Sequence, residues 1–269
     1  MNPRKTITIS LSAILCVIVF GTARQTAEKS RPLTMTILYD NYPFQAGCTA
    51  DWGFAALIEG LEKAILFDTG TKGDILLRNF EALKIDPAKS ELIVISHDHG
   101  DHTGGVAAIL EKKPGLPVFV PFSANPAFLS AVKEKGGQIF AVKESQALFQ
   151  GAHFSGELGD AIHEQALILD APRGLVVVTG CAHPGIIAIL EKVKEIRKKD
   201  IWMVLGGFHL MQTAPAEVGK IIARFKNLGV RRVGATHCTG DAAIEMFRKA
   251  YGPDFVELGV GRKIDLAGR

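Results

Sequence analysis

The sequence is poor in cysteine: four residues in 269, one of which, Cys16, lies in an N-terminal apolar run. The other three, Cys48, Cys181 and Cys238, cannot build a disulfide framework, and a chain of this length does not need one for stability. One bridge with one free thiol, or three free thiols, both remain open. Charge of one sign is lacking as well. The 31 Lys and Arg face 28 Asp and Glu, and a net charge of +3 without a basic stripe argues against a nucleic-acid surface. The basic stretch "KVKEIRKK" (192–199) falls at helical spacing and reads as a solvated helix face. There is no repeat of fixed period, no low-complexity tract and no internal linker. The longest apolar run, Ile7–Phe20, is shorter than the roughly 20 residues of a membrane span.

That run does fit another purpose. Arg4 and Lys5 precede it, and the small residues Gly21, Thr22 and Ala23 follow, which is the pattern of a secretory signal peptide. The expectation is cleavage near Ala23 and export to a periplasmic or extracellular space, with no stable membrane span afterwards. Residues 1–23 are then the signal, 24–32 a polar linker ("RQTAEKSRP") and 33–269 one catalytic domain. With 47% hydrophobic residues the domain has enough apolar material for a large core.

Strand and helix patterns alternate along this domain. "LTMTILYD" reads as a strand, and "FAALIEG" with "KAILFDTG" as a hairpin. "GDILLRNFEALK" reads as a helix, "ELIVISH" as a buried strand, and "TGGVAAILEKK" as a helix ended by Pro114 and Gly115. "PVFVP", "NPAFLSAVKEKGG" and "QIFAV" continue as strand, helix, strand. Short antiparallel strands ("AHFSGEL", "EQALILD", "GLVVVTG") follow. Helices at 184–199, 215–228 and 241–251 then alternate with the strands "IWMVLGG" and "RRVGATH". The expected class is a layered α/β protein with two mixed sheets.

Six of the eight histidines stand at the ends of expected strands, beside glycine or threonine. They are His97, His99 and His102 in "SHDHGDH", His183 in "TGCAHPG", His209 in "GGFHL" and His237 in "ATHCTG". Loops at the C-terminal edge of a sheet are where α/β folds place reactive side chains. His97 and His99, two apart, project to the same side of an extended backbone and can share a cation. Asp101 and His102, after the turn expected at Gly100, can reach a second one. Imidazole and carboxylate suit zinc first, with manganese or iron as alternatives. Asp98 should point away from its neighbours. His153 and His163 read as ordinary surface or sheet residues.

"HDHGDH" resembles the H-x-H-x-D-H signature of the metallo-β-lactamase-fold superfamily. From Leu33 to Leu258, "LFDTG", "TGCAHPG", "GGFHL" and "HCTG" resemble its other motifs in order. Within the superfamily the strings are most similar to the branch of dihydropterin–ribofuranosylaminobenzene phosphate synthases from archaeal methanopterin biosynthesis, to which "EQAL" (164–167) adds support. The resemblance implies a four-layer αββα sandwich. It also implies one or two divalent cations, with His97, His99 and His183 on the first, Asp101, His102 and His237 on the second, and Asp68 supporting the ligands from behind. His209 stands where most members supply a bridging aspartate. It is expected to ligate a metal or to hydrogen-bond substrate, so His209 and Asp101 are the candidate catalytic side chains. Cys181 and Cys238, next to proposed ligands, are expected to be packing residues. Trp52 and Phe208 are candidate pocket walls.

The expected function is a secreted metal-dependent hydrolase that directs a metal-bound hydroxide at a small anionic or ester-like substrate, such as a phosphoester or a lactone. The alternatives are a transferase like the pterin synthases and a non-catalytic metal- or ligand-binding protein. The absence of a glutamate from the opening motif argues against an oxygen-reducing diiron relative. The expected partner is a small-molecule substrate; the sequence leaves the oligomeric state open.

Overall fold

The structure, a computed structural model, describes residues 32–268; the signal-peptide and linker expectations, and Cys16, fall outside the described residues except for Pro32. Among the described residues, thirteen strands and seven α-helices follow in the order β1 (34–39), β2 (55–59), β3 (65–67), α1 (73–82), β4 (92–94), α2 (100–103), α3 (106–112), β5 (117–121), α4 (126–134), β6 (138–142), β7 (146–149), β8 (152–154), β9 (167–171), β10 (174–179), α5 (186–197), β11 (201–207), α6 (215–227), β12 (232–236), α7 (241–251) and β13 (263–265). Among the described residues no helix is long and apolar enough to cross a membrane.

The strands form two mixed sheets, ordered β13-β1-β2-β3-β4-β5-β6 and β12-β11-β10-β9-β8-β7. In the first, β1, β2 and β3 pair antiparallel, and β3 to β6 run parallel. In the second, β7 to β10 are antiparallel, whereas β10, β11 and β12 are parallel. Alternation along the strands sends one set of side chains inward. Met35, Ile37, Ile58 and Phe67 of the first sheet meet Leu167, Val176, Val178 and Met203 of the second in the central core. The outer faces are covered by helices. Ile75, Leu76 and Phe80 of α1, with Ile109 and Leu110 of α3, close the first sheet. Ile186, Ile189, Leu190 and Val193 of α5, with Phe225 and Phe247, close the second. Each such side chain, fully buried, contributes about 1.5–3 kcal/mol. The result is the two-sheet α/β layering expected from the sequence pattern, in the αββα order that the resemblance implies.

The differences in detail lie near the histidines. "ELIVISH" reads as one strand, yet the ladder of β4 stops at Val94. Its continuation is diverted: Ser96 N–H donates to the Asp68 carboxylate (2.7 Å) instead of to a neighbouring strand. Gly100, read as a turn, opens the one-turn helix α2, with no positive φ and open space where a Cβ would stand. "AHFSGEL" yields only the three residues of β8. Beyond them the chain crosses to the end of β4, where Gln165 N–H and Nε2–H donate to the carbonyls of Ser96 and Ile95. That crossing carries Glu164 and Gln165 fully into the interior.

Candidate metal centre

Six segments deliver the site, most of them at the ends of central strands: β3 (Asp68), β4 and α2 (His97 to His102), β10 (Cys181, His183), β11 (His209), β12 (His237), and the 40–53 segment after β1 (Asn41, Trp52). Backbone conformation is unusual here. Of the six non-glycine residues with positive φ among the described residues, Lys84 and Lys198 lie at helix ends; Asp68, Ala182, His209 and His237 lie at the site. Left-handed backbone costs a non-glycine residue of the order of 1 kcal/mol or more and persists where surrounding contacts enforce it. Close approach adds to this. A Cβ at Gly180 would stand 2.0 Å from Ser96 Oγ and 3.0 Å from Asp68 Oδ2, so only glycine lets the 180–183 loop lie on that pair.

Two groups of imidazoles converge. His97, His99 and His183 have ring centroids 4.7–4.8 Å apart, and His97 Nε2 lies 3.2 Å from His99 Nδ1. His102 and His237 lie 5.1 Å apart, with Asp101 Oδ2 3.8 Å from His102 Nε2 and 3.3 Å from His237 Nε2. His97 and His102, 4.2 Å apart, join the groups.

Hydrogen bonds behind the rings fix which nitrogen faces inward. Asp68 is fully buried, and its carboxylate takes Ser96 N, Ser96 Oγ and His102 Nδ1, each at 2.7 Å. His102 therefore carries its proton on Nδ1 and turns Nε2 to the centre. The Ser96 hydroxyl donates to Asp68, which leaves its oxygen to accept from His97 Nδ1 at 2.9 Å. Asn41 Oδ1 accepts from Gly53 N–H and so must also accept from His237 Nδ1 (2.9 Å), again freeing Nε2. Both His183 Nε2 and His237 Nε2 are buried without a hydrogen-bond partner. Buried ring nitrogens are costly to leave unpaired. Two orphan lone pairs aimed into clusters of other imidazoles fit a cation, and the donor set of imidazole, carboxylate and thiol suits a divalent first-row metal.

Titration behaviour keeps the lone pairs of His97 and His183 available, whereas a cation at His102 has to displace a proton. Burial, reinforced by His102, His183 and His99, holds His97 far below the ordinary imidazole range. Burial and then His209 and His99 lower His183 to about 4. Burial opposes charge on His102, but the Asp68 carboxylate outweighs it and raises the value to about 8. Burial likewise works to raise Asp101, yet its contacts with His237 and His102 hold it well below the usual carboxylate range.

Glu164 anchors the site, a role its sequence setting did not reveal. One carboxylate oxygen accepts N–H bonds from Gly180, Cys181 and Ala182 (2.8–3.1 Å), and the other accepts from His183 (2.9 Å). The second oxygen also lies 3.9 Å from His97 Nδ1. Burial pushes this carboxyl up to about 7 against those donors. Asn41 and Ser96 were equally hidden, because an isolated Asn or Ser in a loop carries no pattern of its own. "EQAL" was the only available signal for Glu164.

The remaining expectations divide. Asp98 does point away: it accepts from Asn125 N–H at the start of α4 (2.7 Å). Trp52, 45% exposed, stands at the rim; its Nε1–H donates to Asp101 Oδ2 (2.8 Å) and its ring lies 4.8 Å from His237. Phe208 is a correction. It is not a pocket wall at the metal centre but is buried between Phe225 and Phe247 in the core under the second sheet. The chain reverses side at the next residue, His209, through its positive φ. His209 is exposed, packs 4.4 Å from His183 at the edge of the first set, and forms a potential donor group with Cys181 and Cys238. All three described cysteines are free thiols. His153 sits away from the centre with Asp170 and Arg197. His163 is nearer than expected, on the wall of a cavity of about 290 Å3 beside His99, Ser123 and Asn125. A second cavity, of about 370 Å3, opens between Trp52, His209, Met211 and Gln212.

Trp52 yields a direct expectation. Trp52→Phe removes one hydrogen bond from Asp101 at an exposed position. Thermal stability should stay within about 0.5 kcal/mol of the parent. Affinity for the cation nearest Asp101 should fall several-fold in a chelator competition titration; unchanged affinity would show that Trp52 does not orient Asp101.

Comparison with known proteins agrees with this geometry. Residues 51–190 match the family profile of the metallo-beta-lactamase superfamily. The 7,8-dihydropterin-6-methyl-4-(beta-D-ribofuranosyl)-aminobenzene-5'-phosphate synthase of Methanocaldococcus jannaschii is 28% identical over 85% of this chain and 95% of its own length. Among solved structures, Tm1679, a metal-dependent hydrolase of the beta-lactamase superfamily, superposes with a TM-score of 0.75 at 28% identity, covering 87% of this chain and 99% of the other. A diphosphatase of the PhnP family shares the fold alone, with a TM-score of 0.58 and 16% identity over 87% of this chain and 97% of the other. The profile match spans more than half of the chain and includes the histidine cluster of β4 and α2, and the fold around that cluster is the one its solved relatives share; the chain belongs to the metallo-beta-lactamase superfamily.

Proposed function

We propose that this chain is a metal-dependent hydrolase acting on a small anionic or ester-like substrate, a phosphoester, a lactone or a close analogue. The observation that carries the reading is the convergence of two donor sets, His97/His99/His183 and Asp101/His102/His237, with two buried ring nitrogens that have no other partner. Divalent cations held there, zinc before manganese or iron, supply polarisation of a substrate oxygen and activation of water near neutral pH. The protein's own part is orientation. Asp101 is steered by Trp52 into the gap between His102 and His237. His209, exposed at the mouth of the cavity it shares with Trp52, is placed to donate a hydrogen bond to a substrate oxygen. The polar cavity at Ser123, Asn125 and His163 offers room for the remainder of the substrate.

A second reading has a specific observation behind it, since the methanogen relative matched over most of both chains is by name a synthase. In that reading the same centre would act on a phosphate-bearing donor in group transfer. Secretion, proposed from Arg4, Lys5 and the apolar run before Ala23, favours the hydrolase, because cofactor assembly draws on intermediates made inside the cell.

The test is a metal-defined substrate screen on the mature chain, across phosphomonoesters, phosphodiesters, lactones and thioesters. Turnover of at least one class is expected, lost by a factor of about 100 or more in His99→Ala together with one equivalent of metal. A protein that binds pterins and turns over none of these classes would move the assignment to the transferase. Less than one equivalent of transition metal per chain would end the metal-centre reading altogether.

A further inference from the structure

Among the described residues no carboxylate is shared between the two donor sets. Among the clustered histidines, Asp101 pairs with His102 and His237. Asp68 and Glu164 are already committed to Ser96 and His102 and to the 180–183 backbone. Two cations a few ångströms apart among neutral imidazoles repel each other strongly unless an anionic ligand lies between them. One side chain does lie there. Cys181 Sγ belongs to three potential donor groups, with His97 and His183, with His102 and His237, and with His209 and Cys238, and the donor atoms of each group lie within 4.8 Å of one another. It is buried and stands 3.2 Å from His102 Nε2.

This position is built. Ala182, at φ 60°, reverses the chain so that Cys181 and His183 both face the centre instead of opposite sides of a strand. Gly180, the only residue that fits against Ser96, lets the loop come close enough, and the Glu164 carboxylate pins Cys181 N–H at 3.0 Å. An inert packing cysteine needs none of these devices. His209, which holds the corresponding place in the sequence order of motifs, is exposed and forms its potential donor group with Cys181 and Cys238.

Resting on the metal-centre reading above, we propose that Cys181 is a sulfur ligand shared by both cation positions. On metal uptake the Cys181 thiol gives up its proton to solvent and the sulfur coordinates both cations, supplying the negative charge that would otherwise be missing between them. Cys238, whose Sγ donates to the Cys181 carbonyl at 3.6 Å, remains outside this pair and supports the loop.

The experiment uses the full mature chain loaded with cobalt(II) or zinc(II), the variants Cys181→Ser and Cys238→Ser, and three readouts: metal equivalents, the sulfur-to-cobalt charge-transfer absorption, and X-ray absorption of the zinc protein. The parent and Cys238→Ser should bind two equivalents and show the charge-transfer band. Cys181→Ser should lose the band, and its second equivalent should bind at least about tenfold more weakly. The zinc protein should show a Zn–S distance of about 2.3 Å, averaging one sulfur per zinc; this needs no variant and so stands even if Cys181→Ser fails to fold. A nitrogen- and oxygen-only shell, or a band retained in Cys181→Ser, overturns the proposal while leaving the metal centre intact. Absence of metal from the parent protein overturns both.

Discussion

Glu164→Ala should lower the stability of the metal-free protein by about 4 kcal/mol. Four backbone N–H groups, of residues 180 to 183, end on its carboxylate inside the fold. Hydrogen bonds to a charged acceptor contribute roughly 1.5–3 kcal/mol each, and a buried donor left unpaired costs about 1–3 kcal/mol. Water entering the space left by the side chain recovers part of that loss, which brings the estimate to the upper end of what single substitutions do. Glu164→Gln separates charge from shape. Its amide oxygen can still serve Gly180, Cys181 and Ala182, but its NH2 then faces the His183 N–H, so about half of the loss should remain. Urea unfolding of the metal-free proteins measures both. The consequence for function is specific: with the 180–183 loop released, Cys181 and His183 lose their shared direction, and the variant should retain less metal than its stability alone would predict. A Glu164→Gln protein as stable as the parent would show that the carboxylate charge is not what holds the loop.

The visibility of the site in the sequence followed from how each residue acts. Histidines placed two and three apart after an apolar run have a periodicity and a position, and His97, His99, His102, His183 and His237 are brought together where those signals pointed. Most strands and helices were readable for the same reason: alternation and helical spacing repeat over many residues, as in α7, which the structure begins and ends at Asp241 and Tyr251. Residues that act singly across the fold gave no such signal. Glu164 and Asn41 each contact the centre through one loop, from 19 and 196 positions away in sequence. Phe208 misled because its neighbour is at the site; only the positive φ of His209 shows that the two side chains part. The charge of the centre was hidden for a related reason. Counting only Asp101 near the cations suggests a strongly positive pocket, whereas the fold brings buried Asp68 and Glu164 to the same centre. The preference for an anionic substrate is therefore weaker than a count of sequence-visible ligands implies, and lactones belong in the screen beside phosphoesters.

Asp68→Asn should leave the fold in place and lower affinity for the cation at His102 and His237 by about 10- to 100-fold. The backbone is not the cause: Asp68 sits at φ 55°, a conformation that asparagine adopts as readily as aspartate. What changes is the hydrogen-bond polarity at one oxygen. Oδ1 accepts from Ser96 N–H, and an asparagine will keep its carbonyl oxygen there. The amide NH2 then occupies the place of Oδ2, which now accepts from both the Ser96 hydroxyl and His102 Nδ1. Facing a donor, His102 must carry its proton on Nε2, the nitrogen that should offer a lone pair to the cation. The Ser96 hydroxyl must turn as well, and with it the proton on His97 Nδ1, so the defect spreads to the first donor set through a single 2.9 Å contact. Asp68→Ala should instead cost about 3 kcal/mol, since it leaves Ser96 N–H and His102 Nδ1 unpaired in the interior. The comparison between the two variants isolates the tautomer from the packing. Chelator competition and thermal unfolding, measured on both, give the decisive pattern: Asn stable and weakly binding, Ala unstable and weakly binding. An asparagine variant that holds two equivalents as tightly as the parent would mean that Asp68 supports the strand end and does not set the state of His102.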